Sequence, residues 1–319
     1  MRLRGIGPEV LLLCFLVVGA AAFALGRRTA RARRVRSNVD YFTGLDHLVN
    51  DRFDRATEVF SRLAKDSREA EIQFALGSLM RRRGEVDRAI AIHTELAAHR
   101  EAGIREQATL ALGLDYMSAG LMDRAEEKLR SLLGSATYRA AALEKLAWVH
   151  EQQHDWRGAL DIWRELPPED QLERAPVAAH YCCELGEAAL AAGDIEGARS
   201  QIAAARMHDP ASARATILAA RLASASGDAG KATDLYAQAL AKSRAIHDAF
   251  IAEANTALGP RAEDLAQRLR ERPPHDEAGA GEPARFRCDQ CGVSSVTWHW
   301  RCPSCRSYDS LQSVNNRAS

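Results

Sequence analysis

The sequence predicts an all-α chain: a superhelix of stacked helical hairpins, led by one transmembrane helix and closed by a small four-cysteine metal clip. Three observations lead there. An uncharged apolar run stands near the N-terminus, a small-residue signature recurs six times through the middle, and four cysteines near the C-terminus form two C-x-x-C pairs. Aromatic residues make up only 6% of the 319, and alanine and leucine are abundant, which suits helices packed through small side chains. Lysines plus arginines equal aspartates plus glutamates, 43 to 43, so net charge gives no argument for nucleic acid as a partner. Seven cysteines do not make a disulfide framework in a chain this long, and the metal spacing of four of them points to a reducing compartment.

The first element is the anchor, residues 1–26. From Val10 to Leu25 the run VLLLCFLVVGAAAFAL carries no charge. Taken back to Ile6 it reaches about 20 residues, enough at ~1.5 Å each to cross a hydrocarbon core of about 30 Å. Arg2 and Arg4 precede it, whereas Arg27, Arg28, Arg31, Arg33, Arg34 and Arg36 follow within the basic segment 27–37. The positive-inside rule therefore puts everything after the span in the cytoplasm. A cleaved secretory signal is the competing reading, since AAAFALG offers small residues to a peptidase. The arginine run opposes translocation and favours the anchor.

Residues 38–270 carry the repeats. Six stretches, NDRFDRA, RGEVDRA, AGLMDRA, QHDWRGA, AGDIEGA and SGDAGKA, close on Ala56, Ala89, Ala125, Ala159, Ala198 and Ala232, at spacings of 33, 36, 34, 39 and 34. Twelve residues before each alanine stands a small residue: Gly44, Gly77, Gly113, Ala147, Gly186 and Ala220. Four after it come Phe60, His93, Leu129, Trp163, Ile202 and Tyr236. Small residues in both helices of a hairpin let the backbones approach, and the large ones fill the gap to the next unit. The period and pattern resemble the tetratricopeptide repeat, two antiparallel helices in about 34 residues, which stacks into a superhelix with a concave face.

That register disposes of a tempting motif. His150-Glu151-Gln152-Gln153-His154 spells H-E-x-x-H, which on one helix would set two imidazoles on a zinc ion with the glutamate as general base. His154, however, stands five residues before Ala159, in the slot that holds Gly84, Gly120, Gly193 and Gly227 elsewhere. This is the turn between helices, so the shared helical face is not expected, and no catalytic residue is assigned. Cys182 and Cys183 occupy a first helix where small apolar residues are needed. Arg81, Arg82 and Arg83 close another first helix, where cations complement its dipole. Arg81 and Arg82 are also candidates to hold an acidic partner segment at the groove.

A linker rich in proline, glycine and charge, 271–285, leads to the clip, 286–312. There Cys288-x-x-Cys291 and Cys302-x-x-Cys305 lie ten residues apart. Each pair makes a knuckle whose two sulfurs can meet one metal ion, and two knuckles complete a tetrahedron. A segment this small buries too little to hold itself together, so the metal supplies its stability. Zinc is favoured over iron, because closed four-thiolate sites are structural. Between the knuckles VSSVTWHW alternates like a short hairpin, with Trp298 and Trp300 on one side.

Together, YFTGLDHLVNDRFDRATEVF (41–60), FALGSLMRRRGEVDRAIAIH (74–93), LGLDYMSAGLMDRAEE (112–127) and CDQCG…WHWRCPSC (288–305) resemble the lipopolysaccharide assembly protein B family of Gram-negative bacteria, with its rubredoxin-like C-terminal domain. The resemblance covers nearly the whole chain and departs from it between about 240 and 285, where less repeat-like material is present. It implies a non-enzymatic regulator on the cytoplasmic side of the bacterial inner membrane. Such a protein promotes destruction of the lipid A deacetylase, the UDP-3-O-acyl-N-acetylglucosamine deacetylase that commits precursor to lipid A, by a membrane-anchored AAA+ protease of the FtsH type. It also implies that Cys288, Cys291, Cys302 and Cys305 are metal ligands and that the clip packs on the repeats. A general scaffold for lipopolysaccharide synthesis and export proteins is the alternative, and an electron carrier with iron in the cysteine site ranks last. A homodimer formed through the anchor stays open.

Overall fold

A computed structural model describes residues 39–66, 69–273 and 286–314. The predicted anchor, the arginines that follow it and all but the first residues of the predicted linker lie outside them. Among the described residues no helix is long and apolar enough to cross a membrane. The chain divides into two compact units between Lys145 and Leu146.

The first unit begins with α1 over residues 39–49. It continues with α2 (Phe53–Asp66), α3 (Ala70–Arg82), α4 (Val86–Ala97), α5 (Ala102–Ser118), α6 (Met122–Arg130) and the start of α7 (Arg139–Gln152). The second unit takes the end of α7, then α8 (Trp156–Arg164), the short α9 (Pro168–Glu173), α10 (Ala175–Ala191), α11 (Ile195–His208), α12 (Ala213–Ala225) and α13 (Ala229–Leu240). The helices pair in sequence as the repeat register requires, and α9 fills the one spacing of 39 residues.

The turns explain the pairing. Two residues past each first helix the backbone enters the left-handed region: Asp51 at φ 54°, Gly84 at 79°, Gly120 at 74°, His154 at 55°, Gly193 at 74° and Gly227 at 78°. In the later repeats an aspartate then caps the second helix. Asp155, Asp194 and Asp228 accept from the backbone N–H of Gly158, Gly197 and Lys231 at 3.0, 2.9 and 3.1 Å. The six closing alanines are fully buried. A Cβ on Gly77 would come within 2.4 Å of His93, and one on Gly113 within 2.9 Å of Leu129. The large side chain of the second helix therefore lies directly on the first helix's backbone, which sets the small residue at that slot.

Past Leu240 the signature fades but the helices do not. α14 (Arg244–Leu258) and α15 (Ala262–Glu271) form a further pair, joined by a 3₁₀ turn at Gly259–Arg261. They pack through Phe250, Leu258, Leu265 and Leu269 into one core with Ile217 and Tyr236. Larger side chains make this interface, which is why a search for glycine and alanine passes over it.

The clip is a three-stranded antiparallel sheet in the order β2-β1-β3, from β1 (Phe286–Cys288), β2 (Ser294–Ser295) and β3 (Leu311–Ser313). The hairpin predicted in VSSVTWHW does not form. Only Ser294 and Ser295 pair, with Arg287 and Phe286. Ser295 Oγ then accepts the Thr297 N–H at 3.1 Å, which turns the chain out of the sheet. Trp298 and Trp300 instead stand edge to face, centroids 5.4 Å apart, against Phe250 of α14.

Candidate metal centre

Cys288 ends the central strand β1, and the second knuckle follows Arg301, which bridges to Tyr308. In each knuckle the first cysteine's carbonyl accepts an N–H four residues on, Gly292 to Cys288 and Arg306 to Cys302, both at 2.9 Å. These closing residues are left-handed, Gly292 at φ 75° and Arg306 at 65°. Cys288 Sγ lies 3.5 Å from Cys305 Sγ, and Cys291 Sγ lies 3.7 Å from Cys302 Sγ. All four sulfurs fall within 4.8 Å of one another. A tetrahedron of zinc–sulfur bonds of about 2.3 Å has edges of about 3.8 Å, so the four cysteines are positioned to bind one metal ion.

Their chemistry suits that task, since metals take thiolates. Ser310 Oγ, 3.3 Å away, and the backbone N–H groups of Gln290 and Cys291 bring the Cys288 thiol down to about 6. Ser307, through its hydroxyl at 3.4 Å and its backbone, lowers Cys305 as well. Burial raises Cys302 to about 11, against the pull of two backbone N–H groups. Zinc and iron both accept four thiolates. With four sulfurs bound, no position is left for a substrate.

The clip is seated on the first helices of successive hairpins. Arg301 donates to Glu151 of α7, whose other oxygen accepts from Tyr181 Oη of α10 at 2.5 Å. Burial and the Glu151 charge push Tyr181 far above the ordinary phenol range, so it remains a donor. His180 Nε2 meets Asp309 Oδ2 at 2.8 Å while its ring stacks on Tyr308, centroids 4.5 Å apart. Arg306 lies 5.0 Å above Trp148, and Trp300 stacks on Phe250 at 5.2 Å. Sequence reasoning missed Glu151, His180 and Asp309 as seating residues, because their partners stand up to 150 positions away.

The other candidates sort themselves by place. His150 ends up beside Asp155, Nδ1 to Oδ2 at 2.9 Å, and His154 lies in the turn against Trp156, so H-E-x-x-H is divided between a helix and its exit. Cys182 and Cys183 are buried, which lifts their thiols to about 11 and about 12 and leaves them protonated at neutral pH. Arg81 faces the interior: its Nη1 is 2.8 Å from Asp115 Oδ1, and Asp115 Oδ2 is 2.5 Å from His93 Nδ1. Asp115 and His93 are both fully buried. Arg82 is exposed, over the ring of Phe53 at 5.2 Å.

Comparison with known proteins agrees with this assembly. Residues 286–313 match the rubredoxin metal binding domain family. Lipopolysaccharide assembly protein B of Escherichia coli K12 is 26% identical over an alignment of 382 positions that covers 96% of this chain and 98% of that protein. The likeness to lipopolysaccharide assembly protein B is one of the whole chain. Its counterpart in Haemophilus influenzae is 25% identical, covering 97% of this chain and 99% of its own length. Both alignments are longer than this chain, so those proteins carry segments that it lacks. Among solved structures, the C-terminal part of a TPR repeat-containing protein from Cytophaga hutchinsonii is 15% identical, with a TM-score of 0.49, over 74% of this chain and 96% of that one.

Proposed function

We propose that this chain is a non-enzymatic adaptor of lipopolysaccharide biosynthesis, anchored in the bacterial inner membrane with its repeats and clip in the cytoplasm. The observation that carries the reading is the end-to-end likeness to proteins named lipopolysaccharide assembly protein B. The site chemistry supports it. A closed four-thiolate shell has no open coordination position, the thiols of Cys182 and Cys183 stay protonated, and H-E-x-x-H is broken across a turn. What the chain offers is surface.

In this reading the repeats hold the lipid A deacetylase, and the anchor brings it to the membrane-anchored AAA+ protease. Confinement to one membrane raises the effective concentration of the two without any new contact. The exposed Arg82 is better placed than Arg81 to meet an acidic segment of a partner, since Arg81 already neutralises Asp115. The test is the half-life of the deacetylase with and without this protein. Depletion lengthens it and raises lipopolysaccharide; an unchanged half-life rejects the adaptor. Removal of residues 1–26 abolishes the effect, and full activity of that truncation rejects the role of the anchor.

A further inference from the structure

Among the described residues α1 is the terminal helix of the stack, and its two sides differ. Tyr41, Leu45 and Leu48 turn inward onto the core of the first hairpins, and Gly44 lies against Phe60. Val39, Phe42 and Val49 turn the other way, at spacings of three and seven that put them on one helical face. They are 59%, 67% and 84% exposed, and they make up three of the seven large hydrophobic side chains exposed among the described residues. A stack of repeats needs a polar outer face on its terminal unit to stay soluble. The outer face of α1 is largely apolar, so this end of the stack is built to be covered.

What covers it follows from the chain that leads into it. The uncharged run ends at Leu25, and the thirteen residues from Gly26 to Asn38 hold six arginines and no acid. Fully extended they reach about 45 Å, and anionic headgroups draw an arginine-rich segment along the bilayer surface rather than away from it. Polar residues on the same face of α1 then choose between a bilayer and a second copy of the chain. Asp46 stands between Phe42 and Val49, exposed, and its Oδ1 accepts from Asn50 Nδ2 at 3.2 Å. A two-fold interface through this face would bury Asp46 from both copies, and a buried carboxylate without a cation is costly. In the headgroup layer the carboxylate stays in water among lipid ammonium groups, while apolar side chains reach the acyl boundary. We infer that the outer face of α1 lies in the headgroup layer of the membrane that holds the anchor, with Phe42 and Val49 toward the acyl chains. This deepens the anchored-adaptor reading and rests on it. The first unit is seated on the bilayer by its own terminal helix rather than hung from a free tether.

The test is photo-crosslinking of the metal-loaded full chain in vesicles of phosphatidylethanolamine and phosphatidylglycerol. The photoreactive residue p-benzoylphenylalanine replaces Phe42, Val49 or, as the control, Glu127, an exposed position on α6. The phospholipid adduct from Phe42 and from Val49, read by mass spectrometry, is at least about ten times that from Glu127, as expected of side chains at the acyl boundary. Circular dichroism checks the helix content of each variant, and one of the two positions decides alone if the other loses it. A phospholipid adduct no greater than that from Glu127, or a crosslinked dimer of the chain in its place, overturns the inference. Resistance to alkaline extraction is read separately. A chain that resists extraction and gives no lipid adduct removes the seating of α1 alone, whereas a chain that is extracted removes the anchor and the inference with it.

Discussion

At the scale of single residues, the first unit is organised around a polar cluster in an apolar stack. His93 stands where other repeats place Phe60, Leu129 or Tyr236, and it fits only because Gly77 has no Cβ. An imidazole at that depth needs a partner, which Asp115 supplies while Arg81 balances the carboxylate. Removing one member of a buried charged set leaves the others unpaired, at a cost of about 3–5 kcal/mol. Asp115→Ala is therefore expected to lower the stability of the first unit by that amount in chemical denaturation. A loss below about 1 kcal/mol, the range of an exposed ion pair, would show that the cluster adds no more than a surface bridge. The signal was present in the sequence as a histidine and an aspartate at apolar slots. Their pairing was not, because 22 residues separate them.

At the scale of elements, the turn slot decides what each hairpin can be. Five residues before every closing alanine the backbone turns left-handed, whether the residue is glycine, Asp51 or His154. A non-glycine residue there carries strain of about 1–2 kcal/mol, which glycine avoids at the expense of chain entropy. His154→Gly is thus expected to change stability by less than about 1 kcal/mol. It also leaves the metal content, measured by elemental analysis, at one ion per chain. Loss of bound metal in that variant would reinstate the H-E-x-x-H reading. The second knuckle repeats the lesson, for Arg306 adopts the conformation that Gly292 adopts in the first, and its guanidinium covers Trp148. Contact with a neighbouring element keeps an arginine where local geometry prefers glycine.

At the scale of the second unit, the metal holds a folded clip and the clip completes a surface on the hairpins. The Cys288 thiol is depressed, so its thiolate contribution is complete above the ordinary thiol range and is lost as pH falls through about 6. Protons compete with the metal for the same sulfurs. Metal transfer to a chromophoric chelator is expected to accelerate as pH drops below neutral, and the removal to uncover Trp298 and Trp300 with a red shift of tryptophan emission. A release rate flat with falling pH, or emission unmoved by metal loss, would contradict this coupling between metal and seating.

Local rules were enough for the sequence to determine the repeats, their turns and the four sulfurs. Periodicity, left-handed slots and knuckle spacing each act within about one hairpin or one loop. Only the tertiary structure decided that Glu151 serves Arg301, that VSSVTWHW leaves the sheet, and that α14 and α15 extend the stack with large side chains. Those outcomes depend on surfaces that meet across as many as 150 residues, and a one-dimensional pattern carries no record of which distant side chain will arrive.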